Sequence, residues 1–389
     1  MSTLLGKFKR IFQKVNQEST FHMPVDNQRK FLESLPEPKD DIERSYLQYR
    51  CQNFLMKRGI PLLLNAAAIP LSLAYRFKLR GRTESGDKPA TGEWTAVLLY
   101  AGRDTIVPDS LREEFNITQI PDFQNRLRLT AEDTAYLREL RRRYPFAFYF
   151  RLKCMLKIAM YRDAIARFAP KAIICSSEYS FNSSVLTDYC RKQEITHINV
   201  MHGDKSYYIR DTFFHFDRCY VWDQHFVDLF RDLRAQPEQF IIELPPSMRL
   251  PRRESRWERV DATYYLANET EDQIRVILTN LSALSRQGKK VVLRMHPLYP
   301  EHAKLLYENP YGLLVEEPRE VPIEDSLLRT GCVISLFSTV LLQASANGIP
   351  IVIDDMTDYA HYLALRPLRI LVMEKEHSLL SDLVKQEPA

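Results

Sequence analysis

The stretch Lys289-Lys290-Val291-Val292-Leu293-Arg294-Met295-His296-Pro297 decides how the rest of the chain is read. Its apolar run has no helical period and describes a short strand buried on both faces, as strands of parallel sheets are. The run stops at an arginine, a histidine and a proline, and the fixed φ of Pro297 turns the chain out of the ladder. Open α/β sheets bind ligands just beyond the carboxyl ends of their strands. A cation and an imidazole placed there stand where a phosphate would be met. About forty residues on, a second apolar run ends in Ser335-Leu336-Phe337-Ser338-Thr339 and passes directly into a helical pattern. A hydroxyl-rich helix N-terminus is the other common way of holding an anion.

Working outward, short apolar runs alternate with longer helical patterns. Downstream of residue 258, strands are expected over 263–266, 290–294, 312–315, 332–335, 350–353 and 370–373. Helices are expected over 270–286, 301–307, 323–328, 338–347 and 378–385. Upstream, strands are expected over 94–100, 117–120, 172–175, 196–201, 218–222 and 240–244, with helices over 131–143, 148–168, 183–192 and 225–233. Such alternation implies parallel sheets covered on both faces. The Pro- and Arg-rich segment 245–257 breaks the pattern and reads as a linker. The expectation is an α/β protein with two facing, doubly wound Rossmann-like domains over 91–248 and 258–389, preceded by a basic helical extension over 1–90.

In that extension Leu4, Leu5, Phe8, Ile11, Phe12 and Val15 share one helical face, while Lys7, Lys9, Arg10 and Lys14 cover the rest. This describes either an interfacial helix for an anionic membrane surface or a cap docked on the protein's own body. Residues 40–52 read as a charged helix. Residues 59–75 are strongly apolar but short for a span and hold two prolines and an asparagine, which favours a monotopic or core-packed element. Residues 81–92 are polar and turn-forming. Lysines and arginines interrupt the N-terminal apolar positions, so no cleavable signal peptide is expected. The location implied is cytoplasmic, with peripheral attachment to the inner face of the cell membrane as an option.

A chain of 389 residues with 45% hydrophobic and 27% charged residues has a globular composition, and a net charge of +4 does not suggest nucleic acid as a partner. Six cysteines without CxxC spacing suggest buried free thiols. The chain has neither Gly-x-Gly-x-x-Gly nor a Walker A sequence, which argues against a dinucleotide oxidoreductase and a P-loop NTPase.

The candidate site residues follow from strand ends. His296, with Arg294, could neutralise charge growing on a leaving phosphate; the competing reading pairs Arg294 with Glu316 or Glu317. Ser335, Ser338 and Thr339 are the hydroxyls of the anion-holding helix start, with plain N-capping by Ser338 as the alternative. His202-Gly203-Asp204-Lys205 ends a strand of the first half. His202 could deprotonate an acceptor hydroxyl, and Gly203 would let a ligand approach the backbone closely. Glu178 and Asp204 compete for the same role. Asp354-Asp355 reads as a strand-end acidic pair, and no metal site or cofactor is expected. His215 and His225 have no partner at metal-ligand spacing, and the aromatic run 144–149 reads as core or membrane-facing.

A strand ending in His-Gly, then Arg-x-His-Pro, then a Ser/Thr-rich strand end, resembles the GT-B glycosyltransferases of bacterial surface polysaccharide synthesis over residues 94–375. The nearest groups are the CDP-glycerol glycerophosphotransferases and the CMP-sugar-using sialyl-, polysialyl- and Kdo-type capsule transferases. The resemblance implies a metal-independent transferase moving a nucleotide-activated sugar or polyol, with cytidine as the expected base, onto a cell-surface glycan or lipid-linked acceptor. It implies that His296, Ser338 and Thr339 contact the donor and that Glu178 or His202 is the base, with Gly203, Asp204 and Lys205 on the acceptor side. His202-Gly203 is followed by Asp-Lys instead of the threonine usual in the glycerophosphotransferases. The acidic pair followed by glycine of the sialyltransferases is also missing. The alternatives are a UDP-sugar 2-epimerase sharing the two-domain fold and a non-catalytic polysaccharide-assembly protein that keeps it.

Overall fold

The computed structural model describes residues 23–79, 95–99, 104–120, 127–298, 303–336 and 338–385. The expected amphipathic segment 4–15 and the turn-rich segment 81–92 lie outside them. The chain divides into two compact units, Met1–His202 with Tyr208–Pro246, and Gly203–Tyr207 with Ser247–Ala389.

The first unit opens with three helices, α1 (Val25–Glu33), α2 (Asp41–Leu55) and α3 (Ile60–Leu79). Its sheet holds β1 (Thr95–Leu99), β2 (Asn116–Ile120), β3 (Ala172–Cys175), β4 (Thr196–Val200), β5 (Arg218–Val221) and β6 (Phe240–Ile242). All pair in parallel, in the order β2-β1-β3-β4-β5-β6. The intervening helices are α4 (Asp109–Glu114), α5 (Ala131–Arg143), α6 (Phe148–Phe168), α7 (Ser183–Arg191) and α8 (Gln224–Asp232). The order reverses between β1 and β3, so their carboxyl ends form the topological switch point. Every residue of β3 is buried, which is why a bare Ala-Ile-Ile-Cys run suffices to specify it.

The second unit runs β7 (Ala262–Tyr265), α9 (Glu271–Arg286), β8 (Val291–Arg294), α10 (Ala303–Tyr307), β9 (Leu314–Glu316), α11 (Ile323–Arg329), β10 (Val333–Ser335) and α12 (Thr339–Ala346). It closes with β11 (Ile351–Ile353), α13 (Tyr359–Leu365), α14 (Leu371–Glu374), β12 (Ser378–Leu379) and α15 (Leu380–Lys385). Its parallel sheet has the order β12-β11-β10-β7-β8-β9, with the reversal between β7 and β10. Ile274, Ile277, Leu278, Leu281 and Leu284 recur at helical spacing along α9 and bury against Val291, Leu293, Ile334 and Val352. A capping box between Thr270 and Gln273 starts that helix. The architecture is therefore α/β, with two doubly wound parallel sheets.

One expectation changes. Residues 370–373 form the short helix α14, and the last strand is Ser378–Leu379. A four-residue apolar run carries no periodicity that separates a buried helical turn from a strand. The described part of the N-terminal extension, α1 to α3, lies in the first unit. Buried polar groups fix it there. The Gln48 amide donates to the Glu178 and Arg210 carbonyls at 2.9 Å each, and Ser45 Oγ accepts the Val185 amide at 2.8 Å. All six cysteines are free, five of them buried.

Candidate functional site

In the second unit the decisive residues sit on the carboxyl edge of one sheet. β8 and β10 flank β7, the switch-point strand. At an interstrand spacing of about 4.8 Å, their ends lie roughly 10 Å apart. His296 follows the end of β8, and Ser338 follows the end of β10.

His296 is half-buried, and its Nδ1 accepts the Leu298 amide at 3.1 Å. An accepting Nδ1 puts the proton of the neutral ring on Nε2, which makes Nε2–H a donor. Burial holds the imidazole below its usual pKa, so the neutral form prevails at neutral pH. Ser338 is the N-cap of α12, its Oγ accepting the Val340 amide at 3.3 Å. Thr339 is exposed on the first turn. At the other end of α12, Gly348 takes φ +73°, and the Gly348 and Ile349 amides close on Ser345 and Ala344.

Arg294 and Ser335 occupy the same edge but face inward. The Arg294 guanidinium is buried, paired with Glu316 and donating to the Val321 carbonyl at 2.8 Å. Arg329 holds the other Glu316 oxygen. Ser335 is fully buried and donates to the Tyr265 carbonyl at 2.9 Å, tying β10 to β7. Both side chains are engaged with internal partners beneath the rim. Asp354 is used structurally: it accepts Tyr264 Oη at 2.8 Å and the Met356 and Thr357 amides at 2.9 Å each. Asp355 accepts the Ser381 amide and hydroxyl at 2.9 and 2.6 Å.

Sequence reading passed over Glu269. It is buried just beyond β7, at the switch point, and accepts the Ala267 amide at 2.7 Å. Its signal was available: a carboxylate immediately before the capping threonine of α9, downstream of the first strand of the domain.

In the first unit, Glu178 follows β3 at that sheet's switch point and is wholly buried. His202 follows β4, its side chain 26% exposed, with Nδ1 3.7 Å from Glu178 Oε1. Tyr179 meets the His202 ring edge-on at 6.0 Å, and Arg210 lies 5.2 Å over the Tyr179 ring. The topology thus brings Glu178 and His202 together. Gly203 has no positive φ, and a Cβ there would meet no neighbour within 4 Å among the described residues. Neither backbone strain nor packing requires glycine at this point. Asp204 accepts the amide of Lys205 at 2.8 Å, and burial pushes its carboxyl up to about 7. Lys205 is buried. Gly203, Asp204 and Lys205 belong to the second unit.

His197 on β4 is different in kind. It is fully buried and bonded to Tyr161 Oη at 2.9 Å and Thr187 Oγ1 at 2.7 Å, and burial holds its pKa down to about 3. It is a neutral core histidine.

Among the described residues no group of three or more His, Cys, Asp or Glu could hold a metal ion. No protein-family model and no curated protein matches the chain. Solved structures similar to it include the UDP-GlcNAc 2-epimerase from Neisseria meningitidis bound to UDP-GlcNAc, at 10% identity and TM-score 0.44. That likeness covers 75% of this chain and 89% of the other. The UDP-N-acetylglucosamine 2-epimerase from Rickettsia bellii is similar at 11% identity and TM-score 0.40, over 67% and 78%. The wall teichoic acid polymerase TagF is similar at 11% identity and TM-score 0.43, over 84% and 87%.

Proposed function

We propose that this protein is a GT-B-type enzyme that transfers a sugar or polyol phosphate from a nucleotide-activated donor to a glycan or lipid-linked acceptor. The observation that supports it most is the edge of the second sheet, where an Nε2–H donor and a capped helix N-terminus follow the strands that flank β7, the switch-point strand. Both are suited to the phosphate of a nucleotide. His296 donates to a phosphate oxygen, and the amides of the first turn of α12, with Thr339, meet the same group. These groups offset the charge that grows as the nucleotide leaves, a role this reading gives to the protein instead of a metal.

The candidates for the base, Glu178 and His202, are described within the first unit alone. Glu178 is wholly buried, whereas His202 is partly exposed, so His202 is the group that reaches an acceptor. The acceptor hydroxyl gives its proton to His202, its oxygen bonds to the sugar carbon or the phosphorus, and the bond to the nucleotide phosphate breaks with its electron pair. Glu178 orients His202 and stabilises its protonated form, by the logic of a carboxylate behind a catalytic imidazole. Asp204, with its carboxyl near pKa 7, is the competing proton acceptor. The cytidine preference rests on the Arg-x-His-Pro and His-Gly resemblance.

A second reading has equal support. A buried carboxylate beside a histidine could also move a proton at a sugar carbon, which would make the enzyme a UDP-sugar 2-epimerase. Thermal shifts with CMP, CDP, UDP and GDP test both readings at once. Stabilisation by one nucleotide, lost in His296→Ala, is expected; no shift with any of them removes the enzymatic reading. Conversion of a UDP-sugar with no acceptor present would replace transfer by epimerisation.

A further inference from the structure

The helix α3 turns its apolar side away from the protein. Positions 61, 64, 65, 68, 72, 75 and 79 recur every three or four residues and form the covered face. That face includes polar groups: Asn65 donates to Tyr49 Oη at 3.3 Å and accepts the Tyr149 amide at 3.0 Å, and Ser72 donates to the Ala68 carbonyl at 2.6 Å. Ala68 and Leu79 pack with Leu152, Met155 and Ala159 of α6. The opposite face carries Leu62, Leu63, Ile69, Leu71, Leu73 and Phe77, all exposed, with Leu62 at 74% and Phe77 at 73%. Phe146, two residues before α6, is 82% exposed.

By length and composition α3 could cross a membrane, yet only 11% of its most apolar window is buried within the protein. A crossing helix would have to take its covered face away from α6. A helix lying in the interface plane would not: it keeps that contact and inserts only the outer face. Cations bracket the outer face, with Lys57 and Arg58 ahead of the helix and Arg76 and Lys78 in its last turns, all exposed.

Beside this helix a cavity of about 300 Å³ is lined by Arg76, Arg138, Arg141 and Arg151 together with Leu152 and Met155, and by no carboxylate among the described residues. Among the described residues none of the four arginines is in an ion pair. Arg151 stacks on Phe148 at 4.7 Å, and its buried Nε has no hydrogen-bond partner among them. Burial and the like charges of Arg141 and Arg76 hold the Arg151 pKa below its usual value. Four arginines lining one cavity with no counter-charge among the described residues match a phosphate, which accepts paired N–H donors.

We infer that this is a membrane-docking site: α3 lies in the interface of a bilayer with anionic phosphate headgroups, its outer face among the acyl chains. The phosphate of one headgroup enters the arginine cavity. Charge complementarity selects this occupant, because apolar surface alone would suit any greasy partner. A run of exposed leucines ended by cations and adjoining an arginine cluster that has no ion pair among the described residues suits an anionic lipid surface.

Flotation of the full chain tests the inference, with neutral phosphatidylcholine vesicles and with vesicles containing added phosphatidylglycerol. Binding to the anionic vesicles should be at least about tenfold tighter, and should weaken with salt. Leu63→Glu/Phe77→Glu should abolish binding to both at an unchanged melting temperature, since both side chains are exposed. Arg141→Gln/Arg151→Gln should bring the anionic affinity down to the neutral level. Three results would overturn the assignment. One is binding that survives Leu63→Glu/Phe77→Glu but is lost on deleting residues 1–17. Another is a dimer that this double variant dissociates, with no vesicle binding by the parent chain. The third is stabilisation by inorganic phosphate, again with no vesicle binding.

Discussion

Arg294 and His296, two residues apart, differ in what surrounds them. Arg294 is in register with Glu316 across β8 and β9, and the pair is buried together with Arg329. Removing one partner of a buried pair costs about 3–5 kcal/mol, because the remaining charge stays desolvated. Arg294→Met should therefore lower the denaturation midpoint substantially, while nucleotide affinity of the folded protein changes less than about threefold. His296→Ala should do the reverse: a near-native midpoint in urea, and a loss of about 10²–10³ in kcat from the missing donor. On the other unit, His202→Ala should cost about 10²–10⁴ in kcat if it is the base. Glu178→Gln, which preserves shape, should cost kcat less and leave KM in place. A larger loss in Glu178→Gln than in His202→Ala would exchange their roles. The strand end itself was legible from an apolar run stopped by Pro297. The inward turn of Arg294 was legible only as an alternative, because it depends on the pairing of β8 with β9, a contact between residues 22 apart that no local pattern encodes.

At the scale of the element, α12 has an observed cap and a proposed ligand. Its cap is local chemistry, with Ser338 accepting the Val340 amide and Gly348 closing the far end, and the Ser-Thr and Asn-Gly signals gave both ends in sequence. Ser338→Ala should cost about 1 kcal/mol of stability as a lost cap. If the helix start also holds the nucleotide phosphate, the dissociation constant should rise about tenfold in titrations by calorimetry. Thr339→Val is the cleaner probe, since Thr339 is exposed and does not cap; it should lower affinity with no change in melting. Unchanged affinity in both variants would leave α12 with capping alone. Parallel strands buried on both faces announce themselves as short apolar runs, so eleven of the twelve observed strands overlap the expected ones. The strand Ser378–Leu379 was not legible, because two residues carry no period. Nor was the attachment of α2, whose anchoring Gln48 and Ser45 are polar residues facing inward on a helix with little amphipathic contrast.

The molecule as a whole carries two shifted titrations that oppose one another over the same pH range. His197 stays neutral in the folded state down to about pH 3 but protonates near 6.5 once unfolded. Between those values the unfolded chain binds more protons, so this residue makes stability rise with pH. Asp204 is the reverse. It keeps its proton up to about pH 7 when folded, against an ordinary value of 3.8, so between those values the folded state binds more protons and stability falls as pH rises. Each contributes a slope of up to about 1.4 kcal/mol per pH unit, with opposite sign. From roughly pH 4 to 6.5 the two largely cancel, and the wild-type chain should be insensitive to pH there as far as these groups decide it. Asp204→Asn removes one side of the balance. It should match the wild type near pH 4, become progressively more stable than it towards pH 7, and show a steeper acid limb. His197→Asn can keep part of the bonding to Tyr161 and Thr187 but does not titrate. It should be less stable at neutral pH and gain stability as the pH falls towards 4, because only the Asp204 titration remains. Urea unfolding of the three proteins at pH 4, 5.5 and 7 measures these differences. An Asp204→Asn difference that does not grow with pH would mean that the carboxyl is not held protonated in the fold, and would remove Asp204 as a competitor of His202 for the acceptor proton.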